Sequence, residues 1–179
     1  MTNPLPAPLP LFPAGYAPSA SDFDTWITYP LRFCTSSVVF MVEQTVQQSF
    51  PQNTATTVVY DTVLYDPYGG WRSATNYWVA PYTGWYLVTA TVSLHSLSAG
   101  GALFQVALDV SNSAKYVGAD LQSEATTVSG AFITAMVPMT GGEDWVGTVM
   151  TAAGSVATYE TDTSAPGRYP AMEVTFLSQ

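Results

Sequence analysis

Between Trp85 and His95 the chain alternates strictly. Tyr86, Val88, Ala90, Val92 and Leu94 fall on one side, Thr89, Thr91, Ser93 and His95 on the other. A period of two puts successive side chains on opposite faces, so this segment predicts a half-buried antiparallel strand. Phe104, Val106, Leu108 and Val110 repeat the pattern against Gln105 and Asp109. Met172, Val174 and Phe176 repeat it against Glu173 and Thr175. Runs at Val38–Gln44, Val58–Tyr65, Thr126–Val137 and Trp145–Thr151 are apolar with little alternation, which predicts strands covered on both faces. Turn chemistry separates the runs: Asp66-Pro67-Tyr68-Gly69-Gly70, Pro81-Tyr82-Thr83-Gly84, Gly100-Gly101, Gly141-Gly142 and Pro166-Gly167. Many short strands so punctuated predict an all-β sandwich or barrel, with no βαβ units.

The first 36 residues read differently. Pro4, Pro6, Pro8, Pro10, Pro13 and Pro18 alternate with Leu5, Leu9, Leu11 and Phe12. Proline fixes φ and removes a backbone donor, so an extended, polyproline-like arm is expected. After Tyr16, Ser19 is a candidate N-cap. Asp22 and Asp24 suit the positive end of a helix dipole, and Phe23, Trp26 and Ile27 share one face before Pro30 closes the segment. One short amphipathic helix is predicted there. The organisation expected is an anchoring arm and helix over residues 1–36, then one β-domain over 37–179. The apolar arm residues Leu5, Leu9, Leu11, Phe12, Tyr16, Phe23, Trp26 and Ile27 are the candidate anchoring contacts, being awkward to leave in water.

One segment is specific enough to name a family. Asp66-Pro67-Tyr68-Gly69-Gly70-Trp71, followed by Tyr77-Trp78-Val79-Ala80-Pro81-Tyr82-Thr83-Gly84-Trp85-Tyr86, resembles the C1q/TNF-like pattern. That pattern runs from an Asn/Asp-turn-Gly-aromatic opening through an aromatic and a Pro to Gly-x-Tyr entering a central strand. Pro81 and Gly84 would make the turn, and Tyr86 would begin the inward-facing series. Val137–Val146 is loosely similar to the family's Gly-Asp-x-Val-aromatic hairpin. Tyr169–Leu177 sits where its final strand falls, without the usual Ser-x-Phe-x-Gly. The resemblance covers residues 37–179 and implies an antiparallel jelly-roll sandwich. It also implies a homotrimer in which aromatic and aliphatic side chains meet along the three-fold axis. A second resemblance lies upstream. Gly15–Ile27, followed by Pro30-Leu31-Arg32-Phe33, is similar to the segment heading many virion proteins of actinobacterial phages, where a C1q-like domain often follows. It implies a virion protein of the capsid, tail or fibre, with the arm docking on other virion proteins such as a major capsid or tail protein.

Composition narrows the function classes. Charged residues make up 9% of the chain, against roughly 25% in an ordinary soluble domain. A surface so poor in charge suggests cover by other subunits. Four basic residues oppose thirteen acidic ones, for a net charge of −9. Such a chain cannot neutralise a row of phosphates, so neither nucleic acid nor an anionic membrane is an expected partner. The lone cysteine, Cys34, allows no internal disulfide and reads as a small buried hydrophobe. The N-terminus lacks a basic region ahead of an apolar run, so no signal peptide is expected, and the protein would be made in a host cytoplasm before entering a virion.

Catalytic chemistry is sparse. His95 is the one histidine and lies on the polar side of its strand, and no Gly-x-Ser-x-Gly elbow is present. Carboxylates at Asp61, Asp66, Glu143, Asp144, Glu160 and Asp162 fall in or beside turns. A glycosidase needs two of them across a cleft, whereas acidic residues in turns are ordinary. No enzyme and no cofactor is expected. Calcium is the one ion the resemblance admits, since some C1q-like domains bind it, but no dense Asp-x-Asp ladder names its ligands. Aromatics are the more telling feature. Trp71, Tyr77, Trp78, Tyr82 and Trp85 crowd into fifteen residues and are the candidate trimer or ligand surface. The first expectation is a trimeric capsid decoration or minor capsid protein. The alternative is a tail or fibre-tip module whose aromatics stack on host-surface glycans.

Overall fold

The computed structural model describes residues 38–95, 102–111, 115–123, 128–153, 158–163 and 169–178. The arm, the helix expected after Ser19, all eight candidate anchoring residues and Cys34 lie outside the described residues. What is described is all-β and antiparallel, in two facing sheets.

The first sheet is centred on the strand whose alternation was clearest, β7 (Gly84–His95). On one side β10 (Val128–Met139) pairs with β7 along its whole length, from Val128 opposite His95 to Met139 opposite Gly84. On the other side two strands share it. β13 (Ala171–Ser178) pairs with Trp85–Thr91, and β12 (Thr158–Thr161) pairs with Leu94 and His95. Outward from these come β1 (Val38–Glu43) beside β13, then β4 (Thr62–Tyr65) as an edge, with β2 (Ser49–Pro51) beside β12. The second sheet runs β5 (Trp71–Arg72), β6 (Tyr77–Val79), β11 (Trp145–Ala153), β8 (Ala102–Val110) and β9 (Lys115–Ser123). A short β3 (Thr56–Thr57) also pairs with β11.

The alternating positions do what their period requires. Tyr86, Val88, Ala90, Val92 and Leu94 are fully buried, and Phe104, Val106, Leu108, Val110, Met172 and Val174 meet them from the other strands. Two of the apolar runs behave otherwise than expected. In Val58–Tyr65 only Thr62–Tyr65 belongs to the first sheet, at its edge, where Val63, Leu64 and Tyr65 are exposed. Burial falls instead on Val58 and Tyr60, in the stretch between β3 and β4. The described part of the Thr126–Val137 run, on β10, is covered on one face. Ala131, Ile133 and Val137 point inward, while Phe132 and Met136 are exposed. In β1 the consecutive buried residues Val39 and Phe40 have a local cause. A register shift between Val38 and Phe40 breaks the alternation and turns both inward.

An aromatic ladder joins the sheets at one end of the core. Phe40 stacks on Trp71 at 5.4 Å and on Trp78 at 5.7 Å; Trp78 meets Tyr86 edge-on at 5.5 Å, and Tyr86 meets Phe176 at 5.4 Å. Gly84 serves this cluster by close approach rather than by a turn. A Cβ there would lie 2.5 Å from the Ser178 carbonyl oxygen and 2.7 Å from the Phe176 ring. Inside the sandwich the Tyr60 hydroxyl donates to Thr148 Oγ1 at 3.0 Å, and burial pushes the phenol well above its ordinary range.

Candidate functional site

Strand parity sorts the five aromatics singled out by the sequence. On β6, Trp78 points inward and is fully buried between Phe40 and Tyr86, while its neighbours Tyr77 and Val79 face outward. Trp78 is therefore a core residue and offers nothing to a partner, which corrects its place in the expected surface. Trp71 is half-buried, stacked on Phe40 and meeting Tyr60 edge-on with ring centroids 6.2 Å apart. Tyr82 packs edge-on to Tyr68 at 6.3 Å, and its carbonyl accepts the Tyr86 hydroxyl. Tyr77 lies on the outer face of the second sheet, stacked on Trp145. Trp85, one residue before the inward series begins, faces out from the first sheet and is 47% exposed.

Around Trp85 the outer face of the first sheet is apolar. Phe132 and Met136 on β10 are 59% and 60% exposed, and Leu177 on β13 is 45% exposed. The register places Pro138 opposite Trp85, and Met136 opposite Leu87, which in turn faces Thr175. Beyond them a Thr89–Thr134 hydroxyl pair at 3.1 Å separates this group from Phe132, which lies opposite Thr91. Among the described outward side chains of β10, β7 and β13, Glu173 is the one charge. Sequence reasoning missed Phe132, Met136 and Leu177. For Phe132 and Met136 the signal was present nonetheless: the apolar run at Thr126–Val137 read as covered on both faces, and one face of its described part is uncovered in a single chain.

Three of the six carboxylates, Asp61, Asp66 and Asp144, are occupied in holding turns. Asp61 accepts from the Thr45 and Val46 amides at 2.9 and 2.8 Å and from the Thr45 and Thr62 hydroxyls at 2.6 and 2.8 Å. Partial burial pushes its carboxyl up, and these four hydrogen bonds outweigh that and hold it below the ordinary value. Asp144 accepts from Ser111 Oγ at 2.7 Å and the Thr140 amide at 2.7 Å, which likewise hold it low. Asp66 accepts from the Gly70 and Trp71 amides at 3.0 and 2.9 Å. Glu143 sits in the same turn as Asp144, Glu160 accepts from Gln47 Nε2 at 2.9 Å, and Asp162 is buried with its amide on the Ser93 carbonyl. Among the described residues no three His, Cys, Asp or Glu side chains gather as metal ligands would.

These geometries make an acid prediction. A carboxyl whose pKa is depressed on folding stabilises the fold above its unfolded pKa, near 3.8, and that contribution is lost as pH falls through the folded value. Stability should hold from neutral pH down to about pH 5 and decline below about pH 4. Asp61→Asn should melt at a lower temperature at pH 7 and lose less between pH 5 and pH 3 than the parent. Parallel melting curves for the two across that range would show that Asp61 contributes no proton linkage.

No family model matches the chain, and no curated protein matches it. Solved structures do. The globular domain of the zebrafish complement 1qA protein superposes with a TM-score of 0.55 at 14% identity, covering 80% of this chain and 98% of that one. An Eiger TNF from S. frugiperda gives 0.55 at 10% identity, over 80% and 94%. Murine APRIL gives 0.55 at 12% identity, over 79% and 99%. At such identities the likeness speaks for the fold, and it agrees with the Asp66–Tyr86 motif. The chain has the all-β, antiparallel jelly-roll fold of C1q and TNF domains.

Proposed function

We propose that this domain is a non-enzymatic structural module that associates with copies of itself, as a trimer, through the outer face of the β10–β7–β13 sheet. The observation that carries the reading is the exposed apolar group Trp85, Phe132, Met136 and Leu177 on one nearly uncharged face. Exposed apolar area of this kind favours association at about 25 cal/mol per Å² removed from water. The chain carries a net charge of −9, so copies repel in general. A face whose described outward side chains hold only Glu173 lets identical acidic chains meet with little like-charge cost. Trimeric organisation is what the C1q/TNF resemblance implies, and the fold likeness is consistent with it.

The setting we propose is a virion, with the module decorating a capsid or forming a minor part of it. Support comes from the phage-like Gly15–Ile27 segment and from the apolar Pro-rich arm, whose Leu5, Leu9, Leu11 and Phe12 suit an anchor on other virion proteins. Antibody labelling of particles purified from cells producing the chain tests this. Regular decoration of the shell is expected. Particles that sediment unlabelled, with the chain left free in the lysate, would contradict it.

A further inference from the structure

The second sheet carries an aromatic feature that self-association through the first leaves unused. Tyr77 and Trp145 stack face to face on its outer side, with ring centroids 3.8 Å apart and planes inclined by 18°. Both are half-buried, on the outward side of their strands. The stack is built into the backbone at two points. Gly147 lies directly beneath Tyr77, where a Cβ would come within 2.5 Å of Cδ1, so any side chain there would lift the ring. Trp145 is held on both sides by Ser111. Its amide donates to Ser111 Oγ at 3.1 Å, its carbonyl accepts the Ser111 amide at 3.1 Å, and Ser111 Oγ donates on to Asp144. The register continues the row outward from Gly147 to Asp109 on β8.

We propose that this stack is a docking platform for a neutral saccharide. A rigid aromatic surface loses little entropy on binding and offers its π-face to the C–H face of a pyranose, while Asp109, in the adjacent strand, accepts hydrogen bonds from ring hydroxyls. The ligand's charge follows from the protein's own. A chain at −9 repels phosphorylated or carboxylated polymers, and an aromatic face with one carboxylate suits an uncharged sugar. Of the five aromatics first expected as a ligand surface, Tyr77 belongs to this stack, whereas Trp71 and Trp78 are respectively half-buried against Phe40 and fully buried. The platform lies on the other sheet from Trp85, so its occupation and the association of copies are separate events.

The test is a titration of the intact chain with neutral hexose and N-acetylhexosamine oligosaccharides, read by tryptophan fluorescence and by saturation transfer from protein to sugar. At least one of these sugars is expected to bind. Affinity should fall at least tenfold in Trp145→Ala and in Tyr77→Ala, be retained in Trp145→Phe, and be unchanged in Leu64→Ser, an exposed residue on the β4 edge. Circular dichroism of each variant establishes that it is folded. Absence of binding by every sugar at millimolar concentration, or binding that Trp145→Ala leaves intact, would overturn the proposal.

Discussion

Trp78→Ala is expected to lower the free energy of unfolding by about 3–5 kcal/mol, measured by urea denaturation. The indole is fully buried between Phe40 and Tyr86, and both sheets lean on it, so its removal leaves a cavity at the point where the aromatic ladder crosses the core. A domain of this size has about 5–15 kcal/mol in total, so the variant should sit near the edge of folding. Trp85→Ala, seven residues further on, removes a side chain of the same chemistry that is 47% exposed. Its effect on unfolding of the separated chain should be within about 0.5 kcal/mol. Equal losses for the two tryptophans would mean that the parity argument separating core from surface is mistaken.

The second large effect concerns association. Trp85→Glu combined with Met136→Glu places two carboxylates on the apolar face of the first sheet, at neighbouring positions on β7 and β10. Burying an uncompensated charge in an apolar contact costs several kcal/mol, and each 1.4 kcal/mol is tenfold in affinity. Self-association should weaken at least a hundredfold while the circular dichroism spectrum and the urea midpoint of the separated chain stay close to the parent's. The same substitutions should leave saccharide binding at Trp145 untouched. A variant that still associates as tightly as the parent would remove this face from the interface.

Much of the fold is legible in the sequence because strands report their burial through a period of two. Trp85–His95, Phe104–Val110 and Met172–Phe176 each declare an inward face, and the Asp66–Tyr86 motif declares how the chain enters β7. What the sequence concealed has particular causes. Val58–Tyr65 looks like one apolar strand, yet Val58 and Tyr60 are buried in a crossing segment while Val63–Tyr65 forms an exposed edge. Composition alone does not tell these apart, because the distinction rests on which sheet lies opposite. The aromatic cluster was read as one surface because its members are close in sequence. Parity scatters them, sending Trp78 inward, Trp85 to the outer face of one sheet and Tyr77 to the outer face of the other. Trp145, which completes the stack with Tyr77, is 68 positions away in the chain, and only the pairing of β6 with β11 brings the two together.

The largely apolar run in β10 carries a more general lesson. Ala131, Ile133, Ala135 and Val137 are explained by the core of a single chain, but Phe132, Met136 and Pro138 are not. A strand apolar on both faces in a two-layer sandwich has one face more than its own chain covers, and the surplus measures what an assembly would bury. The central claim therefore reduces to the mass of the particle in solution. Sedimentation equilibrium of the intact chain at micromolar concentration is predicted to give three times the 19.1 kDa chain mass, collapsing to the single-chain value in the Trp85→Glu, Met136→Glu variant. A parent protein that sediments as a 19.1 kDa monomer at that concentration would contradict the account.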